Sequence, residues 1–350
     1  MLAVKTKNTS KIMQKLNFLT LAFFIFFVSC SEVFAGASLP KLDSDTPSYK
    51  AAEIDLSNKW LNSKPLKIAY QEGKVVLIDF WTYSCINCIR TLPHMNALYE
   101  KYADQGLVII GIHAPEFDFE KDQKNVEAAI KKFGIKYPVA MDNDLKTWRN
   151  FNNQYWPAHY LIDQAGSVVY THFGEGEYEK MENNIRALLK IPNKVEEKKS
   201  DLSWFGLTKQ TPETYFGFLR MQRNANEDRK NFYFPAELPL HNFAFSGKWA
   251  VKGEYAEVLE NKGALRLNFQ AKKVFFVMES KDKKPVEVVV KIDGRKITAA
   301  ESGVDVVDGV IKVSESRLYE VVSLKKSSNE IVELEAKRGG LRVYAVTFGN

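Results

Sequence analysis

The sequence predicts an α/β domain followed by an all-β sandwich, and three observations carry that prediction. Val75 to Phe80 is a short, mostly apolar run that ends close to a cysteine pair, Cys85-Ile86-Asn87-Cys88. Behind the pair, Leu92, Met95, Leu98, Tyr99 and Tyr102 recur at helical spacing. A run of that length fits a strand buried on both faces of a parallel sheet. Lys194 to Asp201 is charged, with no apolar residue after Val195, and reads as a linker. Beyond it lie about eight short β-rich segments with turns such as Asp293-Gly294 and Asp308-Gly309 between some of them, the pattern of a sandwich.

The elements follow in chain order. Ser38 to Ser48 is rich in Pro, Asp and Ser and reads as a loose leader; Trp60 to Ala69 begins the first domain as an edge element. Leu107 to Ile112 is a parallel neighbour for the first strand. Val126, Ala129, Ile130 and Phe133 mark a helix, Tyr137 to Met141 a strand, and Leu145, Trp148 and Phe151 a short helix. Ala158 to Ile162 and Val168 to Phe173 flank a turn and form a hairpin in which His159 faces His172 across the strands. We read those histidines as an exposed polar pair rather than a metal site. Met181, Ile185, Leu188 and Leu189 mark a closing helix. The sandwich strands are Tyr255–Leu259, Leu265–Phe269, Val274–Met278, Val286–Ile292, Val310–Val313, Leu318–Leu324, Ile331–Leu334 and Leu341–Phe348.

A strand that runs through C-x-x-C into a helix is a redox arrangement. The helix N-terminus offers partial positive charge and unpaired N–H groups, which stabilise a thiolate at the first cysteine. Thiol pKa values in such motifs fall to roughly 3.5–7.5. Cys88, one turn in, can attack a mixed disulfide formed at Cys85. Zinc would need two more ligands, and the sequence has no second C-x-x-C and no H-x₃₋₅-H. Asp79, six residues ahead of Cys85, is read as sitting beneath the pair and exchanging a proton with Cys88, the alternative being a hydrated strand residue. The acidic company of Gly174-Glu175-Gly176 argues against a phosphate loop. Trp204 and Trp249 are candidates for stacking on sugar rings, with core packing favoured for each.

The order Asp79-Phe80-Trp81, the cysteine pair, Pro93 and Trp156-Pro157 resembles the thioredoxin fold. The segment after Leu107 to Ile112 resembles the insertion of TlpA-like extracytoplasmic thioredoxins. Lys59-Trp60-Leu61-Asn62-Ser63-Lys64-Pro65-Leu66 and Phe80 to Cys88 resemble the soluble part of the DipZ-type thiol:disulfide interchange proteins. Thr211 to Gly217, Ser246-Gly247-Lys248-Trp249, Arg317-Leu318-Tyr319 and Thr347-Phe348-Gly349 are similar to that family's C-terminal module, a jelly-roll related to carbohydrate-binding domains. The resemblance implies a redox-active Cys85–Cys88 disulfide, a cis-proline at Pro157 facing it, and a substrate groove flanked by Trp81 and Trp156, with core packing the alternative for both aromatics. It implies exchange with protein thiols and disulfides without a cofactor or metal. A separate membrane electron donor or acceptor is implied as partner, and a glycan at the sandwich. The rival readings are a thiol peroxidase, and a glycan-binding module with an attached redox domain.

The N-terminus reads as an export signal: Lys5, Lys7, Lys11 and Lys15 precede an apolar stretch from Phe18 to Val28. That stretch is about half the ~20 residues a spanning helix needs. Cleavage after Ala35 or Ala37 is expected, with lipidation at Cys30 as the alternative. If Cys30 leaves with the signal, only Cys85 and Cys88 remain. The expected divisions are signal 1–37, leader 38–57, redox domain 58–192, linker 193–201 and sandwich 202–350, with few contacts across the linker. The net charge of +6 is too mild to argue for nucleic acid.

Overall fold

The computed structural model describes residues 39–57, 59–192, 210–226 and 232–349. The signal segment with Cys30, the linker and Trp204 lie outside the described residues.

The first domain is a seven-stranded sheet. Its strands are β1 (Tyr49–Lys50), β2 (Lys59–Leu61), β3 (Val75–Trp81), β4 (Leu107–His113), β5 (Val139–Met141), β6 (Ala158–Ile162) and β7 (Ser167–Phe173). Their order is β1-β7-β6-β3-β4-β5-β2. β3 and β4 pair parallel, as do β4 and β5, whereas β6 and β7 run antiparallel. Every residue of β3 is buried, because helices cover both faces of a parallel core. The helices are α1 (Ile86–Tyr102), α2 (Gln123–Phe133), α3 (Lys146–Asn150) and α4 (Tyr178–Leu188). The predicted hairpin forms with His159 opposite His172. The supposed loose leader is anchored instead: Ile54 is buried in the core, and Thr46 Oγ1 accepts from the Thr171 N–H at 3.1 Å.

The second domain is a ten-stranded antiparallel system: β8 (Thr214–Tyr215), β9 (Phe243–Ser246), β10 (Trp249–Val251), β11 (Ala256–Val258), β12 (Ala264–Ser280), β13 (Val286–Ile292), β14 (Arg295–Lys296), β15 (Val310–Val313), β16 (Arg317–Ala336) and β17 (Leu341–Gly349). The predicted strands Leu265–Phe269 and Val274–Met278 are one strand, β12, and Leu318–Leu324 and Ile331–Leu334 are likewise one, β16. Both continue through polar stretches, and their pairing absorbs an irregularity between Ala271 and Lys273. Such a bulge bends a strand without ending it. The near half of β12 pairs with β9, the far half with β17. This exchange of neighbours is how long strands turn the corner of a sandwich.

The two domains are not merely tethered. β12 alternates between buried and half-buried residues at first, then is buried at every position from Val274 to Ser280. Val277 there, with Tyr344 and Ala345 of β17, forms an apolar cluster with Phe117 of the first domain, and Phe119, Tyr215, Tyr255 and Leu318 pack against it. Tyr344 meets Phe117 and Phe119 edge-on, at centroid distances of 5.1 and 4.8 Å. Polar bonds rim the cluster: the Asp118 N–H donates to Glu254 at 3.0 Å, and Arg220 pairs with Glu116 at 2.8 Å.

Phe117→Ala therefore removes a fully buried ring between the domains. We expect a loss of about 3–5 kcal/mol and two separated unfolding transitions in urea, where the intact protein shows coupled ones. An unchanged midpoint would mean that the cluster does not join the domains.

Candidate active site

Cys85 occupies the N-cap position of α1 and is part-exposed, whereas Cys88, in the first turn, is buried. Both are free thiols. The helix begins here because Cys85 is extended (φ −80°, ψ 120°) while its carbonyl already accepts from Ile89 N–H at 3.0 Å. The apolar positions of α1 then face β3 and close over Cys88. Burial, a contact with Cys85 and the charge of Asp79 push the Cys88 thiol well above its ordinary pKa.

Asp79 lies in the middle of β3, buried beneath the pair. Tyr137 OH donates to its Oδ2 at 3.5 Å, and His159 Nε2 stands 3.4 Å from its Oδ1. The next strand carries Gly111 opposite Asp79. A Cβ at Gly111 would come within 3.0 Å of the Trp81 indole nitrogen and 3.1 Å of the Tyr137 ring.

The Trp156–Pro157 peptide bond is cis. Trp156 lines the opening in front of Cys85, and its indole N–H donates to the Ala114 carbonyl at 3.0 Å. Trp81 does not flank a groove. It is fully buried, edge-on to His113 at 5.1 Å, because β3 points it into the core beneath α1. The paired histidines are not an exposed pair either: His159 is fully buried and His172 largely so. Trp249 packs on Phe245 at 4.6 Å within the sandwich core, so its face is closed to sugar. Among the described residues, no three His, Cys, Asp or Glu side chains converge to hold a metal ion.

Two features escaped the sequence reading. One is Glu120, fully buried in the loop that carries Phe117 and Phe119. Ser84, immediately before Cys85, donates its hydroxyl to Glu120 at 2.6 Å, and the Glu116 and Phe117 N–H groups donate at 2.6 and 3.0 Å. Burial and the nearby Glu116 charge push its pKa up to about 7, against donors that favour the ionised form. The other is the far wall of the opening, a cleft of 1320 Å³ between the domains. Cys85, Asn87, Trp156 and Phe173 face Lys272, Ser327 and Phe348 across it. The unbroken apolar run Val274 to Met278, unlike the alternating strands around it, was the signal that one sandwich face is covered.

Residues 47–171 match the AhpC/TSA family, and residues 211–349 match the family described as thioredoxin like C-terminal domain. Protein DipZ of Mycobacterium bovis is 37% identical over 305 residues, which is 83% of this chain and 41% of that protein. The chain thus spans less than half the length of the DipZ proteins it matches. Thiol-disulfide oxidoreductase ResA of Bacillus thuringiensis is 31% identical over 155 residues, 44% of this chain and 83% of that protein. Among solved structures, a putative thiol:disulfide interchange protein DsbE from Chlorobium tepidum aligns with a TM-score of 0.36 and 26% identity. It covers 43% of this chain and 99% of its own.

Glu120 makes stability depend on pH. Its folded pKa lies above the ordinary 4.5, so the folded chain holds a proton that the unfolded chain releases. Its contribution is full below about pH 4.5 and is lost as pH rises to about 7, on the order of 3 kcal/mol. Gln at this position can accept from the two N–H groups and donate to Ser84, as the neutral acid does. Glu120→Gln should flatten the fall in unfolding free energy over that window; an equal slope in both proteins refutes the assignment.

Proposed function

This chain belongs to the family of the thiol-disulfide oxidoreductase ResA, and on that premise we propose that it exchanges dithiol for disulfide with protein partners through Cys85 and Cys88. The observation that carries this reading is the division between the two sulfurs. Cys85 is offered at a helix N-terminus to an open cleft, and Cys88 is sealed behind it. As reductant, the Cys85 thiolate attacks a client disulfide, and one client sulfur leaves as a thiolate. Cys88 then attacks the Cys85 sulfur, and the second client sulfur leaves. Run backwards, the same steps oxidise a client dithiol. The chemistry resides in sulfur and needs no organic cofactor. A redox donor or acceptor renews the pair after each turnover, and the lysine-led apolar N-terminus supports work outside the cytoplasm. No helix among the described residues is long and apolar enough to cross a membrane.

The cleft supports a client class. A wall contributed by the second domain stands opposite Cys85, which favours an extended segment lying between the walls over a flat folded surface. Tyr155 and Phe173 present exposed rings 5.2 Å apart at one rim, and such rings bind apolar side chains at little entropic cost. On this reading the sandwich is a client wall. The match to the AhpC/TSA family supports peroxide as a rival substrate, and peroxide consumption by the purified chain separates the two.

Cys88→Ser should accumulate mixed disulfides with clients, and Cys85→Ser should accumulate few. Equal alkylation of the two thiols at about pH 6 would remove the distinction on which the mechanism rests. Ser327→Trp, which narrows the far wall, should slow exchange with a disulfide-bonded extended peptide several-fold more than with a small aromatic disulfide. Equal slowing of both would take the second domain out of client selection.

A further inference from the structure

Asp79, His159 and His172 occupy directly paired positions on three neighbouring strands: Asp79 opposite His159, and His159 opposite His172. Paired residues point to one face of a sheet. The three side chains therefore form a row across β3, β6 and β7, about 4.8 Å per strand. The row begins beneath Cys88, whose proton affinity the Asp79 charge raises. His159 Nε2 lies 3.4 Å from Asp79 Oδ1. The rings of His159 and His172 are nearly parallel, with centroids 6.0 Å apart. His172 Nδ1 lies 3.7 Å from Glu177 Oε2, and Glu177 is 43% exposed. The row thus leads from a sealed thiol to the surface.

Its polar atoms are unusual for a core. Asp79 Oδ1, both ring nitrogens of His159, His172 Nε2 and His94 Nε2 are buried without a protein hydrogen-bond partner. The 3.4 Å approach of Asp79 to His159 satisfies distance but not direction. Unpartnered groups of this kind are costly in a core, and ordered water is the usual means of satisfying them. Other groups face the row too. Tyr137 reaches Asp79, and His94 of α1 neighbours His159 and packs at a tilt on Tyr178, centroids 4.6 Å apart. Glu182 acts on His94, and Lys180 and the Glu175 backbone act on His172. Burial lowers the pKa of His172, and lowers that of His94 to about 4, so both are neutral near pH 7. A neutral imidazole has one nitrogen to accept a proton and one to donate.

We propose that His159 and His172 extend Asp79 into a proton relay between the Cys88 thiol and solvent. This rests on the dithiol exchange proposed above. In the resolving step a bond forms between the Cys88 and Cys85 sulfurs. The bond from Cys85 to the client sulfur breaks, and the client leaves as a thiolate with the bonding pair. The proton of Cys88 passes to the Asp79 carboxylate, then through His159 and His172 to water beside Glu177. Reduction of the pair runs the proton inward. Without an exit, Asp79 would hold the proton and remain neutral, unable to serve the next turnover. His159 and His172 are positioning residues for proton movement; neither touches the client.

The two steps separate with dithiobis(nitrobenzoate), whose thiolate is coloured. Mixed with the reduced protein, the first equivalent of colour reports attack by Cys85 and the second reports resolution by Cys88. His159→Gln and His172→Gln keep polarity but cannot carry a proton. Both should leave the first phase unchanged, slow the second roughly tenfold, and move its pH profile upward. A second phase with wild-type rate and pH profile in both variants overturns the relay. So does equal slowing of both phases, which would mean that the histidines only hold the strands in register. If His159→Gln fails to fold, His172→Gln, near the surface, decides alone. Cys88→Ser should release one equivalent only; release of a second would refute the dithiol mechanism itself, and the relay with it.

Discussion

A carboxylate in the middle of a fully buried strand sets the terms for the rest of this structure. Asp79 sits where β3 has no exposed residue, and an isolated buried charge costs far more than the few kcal/mol by which a domain is stable. The neighbours answer that cost. Gly111 leaves the space beside it, Tyr137 donates from beyond that space, and His159 stands on the opposite side. Burying a carboxylate here gains nothing for packing, which supports the reading of Asp79 as a group kept for chemistry. Its charge acts on the buried Cys88 thiol, and in the proposed exchange it is the base that takes that thiol's proton.

The second constraint acts from in front of the cysteines. The loop after β4 carries Glu116, Phe117, Phe119 and Glu120, and it faces two ways. Glu120 holds Ser84 and thereby the approach to Cys85. Phe117 and Phe119 hold Tyr344 of the second domain. The loop that shapes the cysteine site is thus the one that docks the sandwich, and the opposite wall of the cleft is fixed relative to Cys85. A domain tethered only by a charged linker could not present a wall at a defined distance. The aromatic contact, at about 0.5–1.5 kcal/mol per ring pair beyond area burial, makes that geometry persistent.

Much of this was legible in the sequence because local patterns agreed with the fold. The β3 run, the cysteine spacing and the helix period each specified one element, and the turn from Asp163 to Ser167 fixed the register that places His159 against His172. What failed required knowledge of packing. Trp81 ends β3 with the same aromatic character as Trp156, yet one side chain goes into the core and the other to the cleft, and only the sheet decides which. Buried histidines in a hairpin look like solvent-facing ones until α1 and α4 cover them. Glu120 had no signature, since an acid in a polar loop is ordinarily solvated. The two long strands were divided because their polar middles mimic turns, although a bulge and a change of partner carry the backbone straight through.

The two thiols need opposite environments, and the fold supplies both within one helical turn. The leading sulfur needs access and a positive end of backbone dipoles, and the N-cap of α1 provides them because nothing caps it but Cys85 itself. The resolving sulfur needs protection from other disulfides, which burial provides at the cost of raising its pKa. Protection and reactivity therefore conflict at Cys88, and a base alone does not resolve the conflict, because a sealed base fills after one proton. A polar row that reaches the surface does resolve it. In the proposed mechanism the client enters through the cleft between domains, the proton leaves across the sheet, and neither route has to open the core around Cys88.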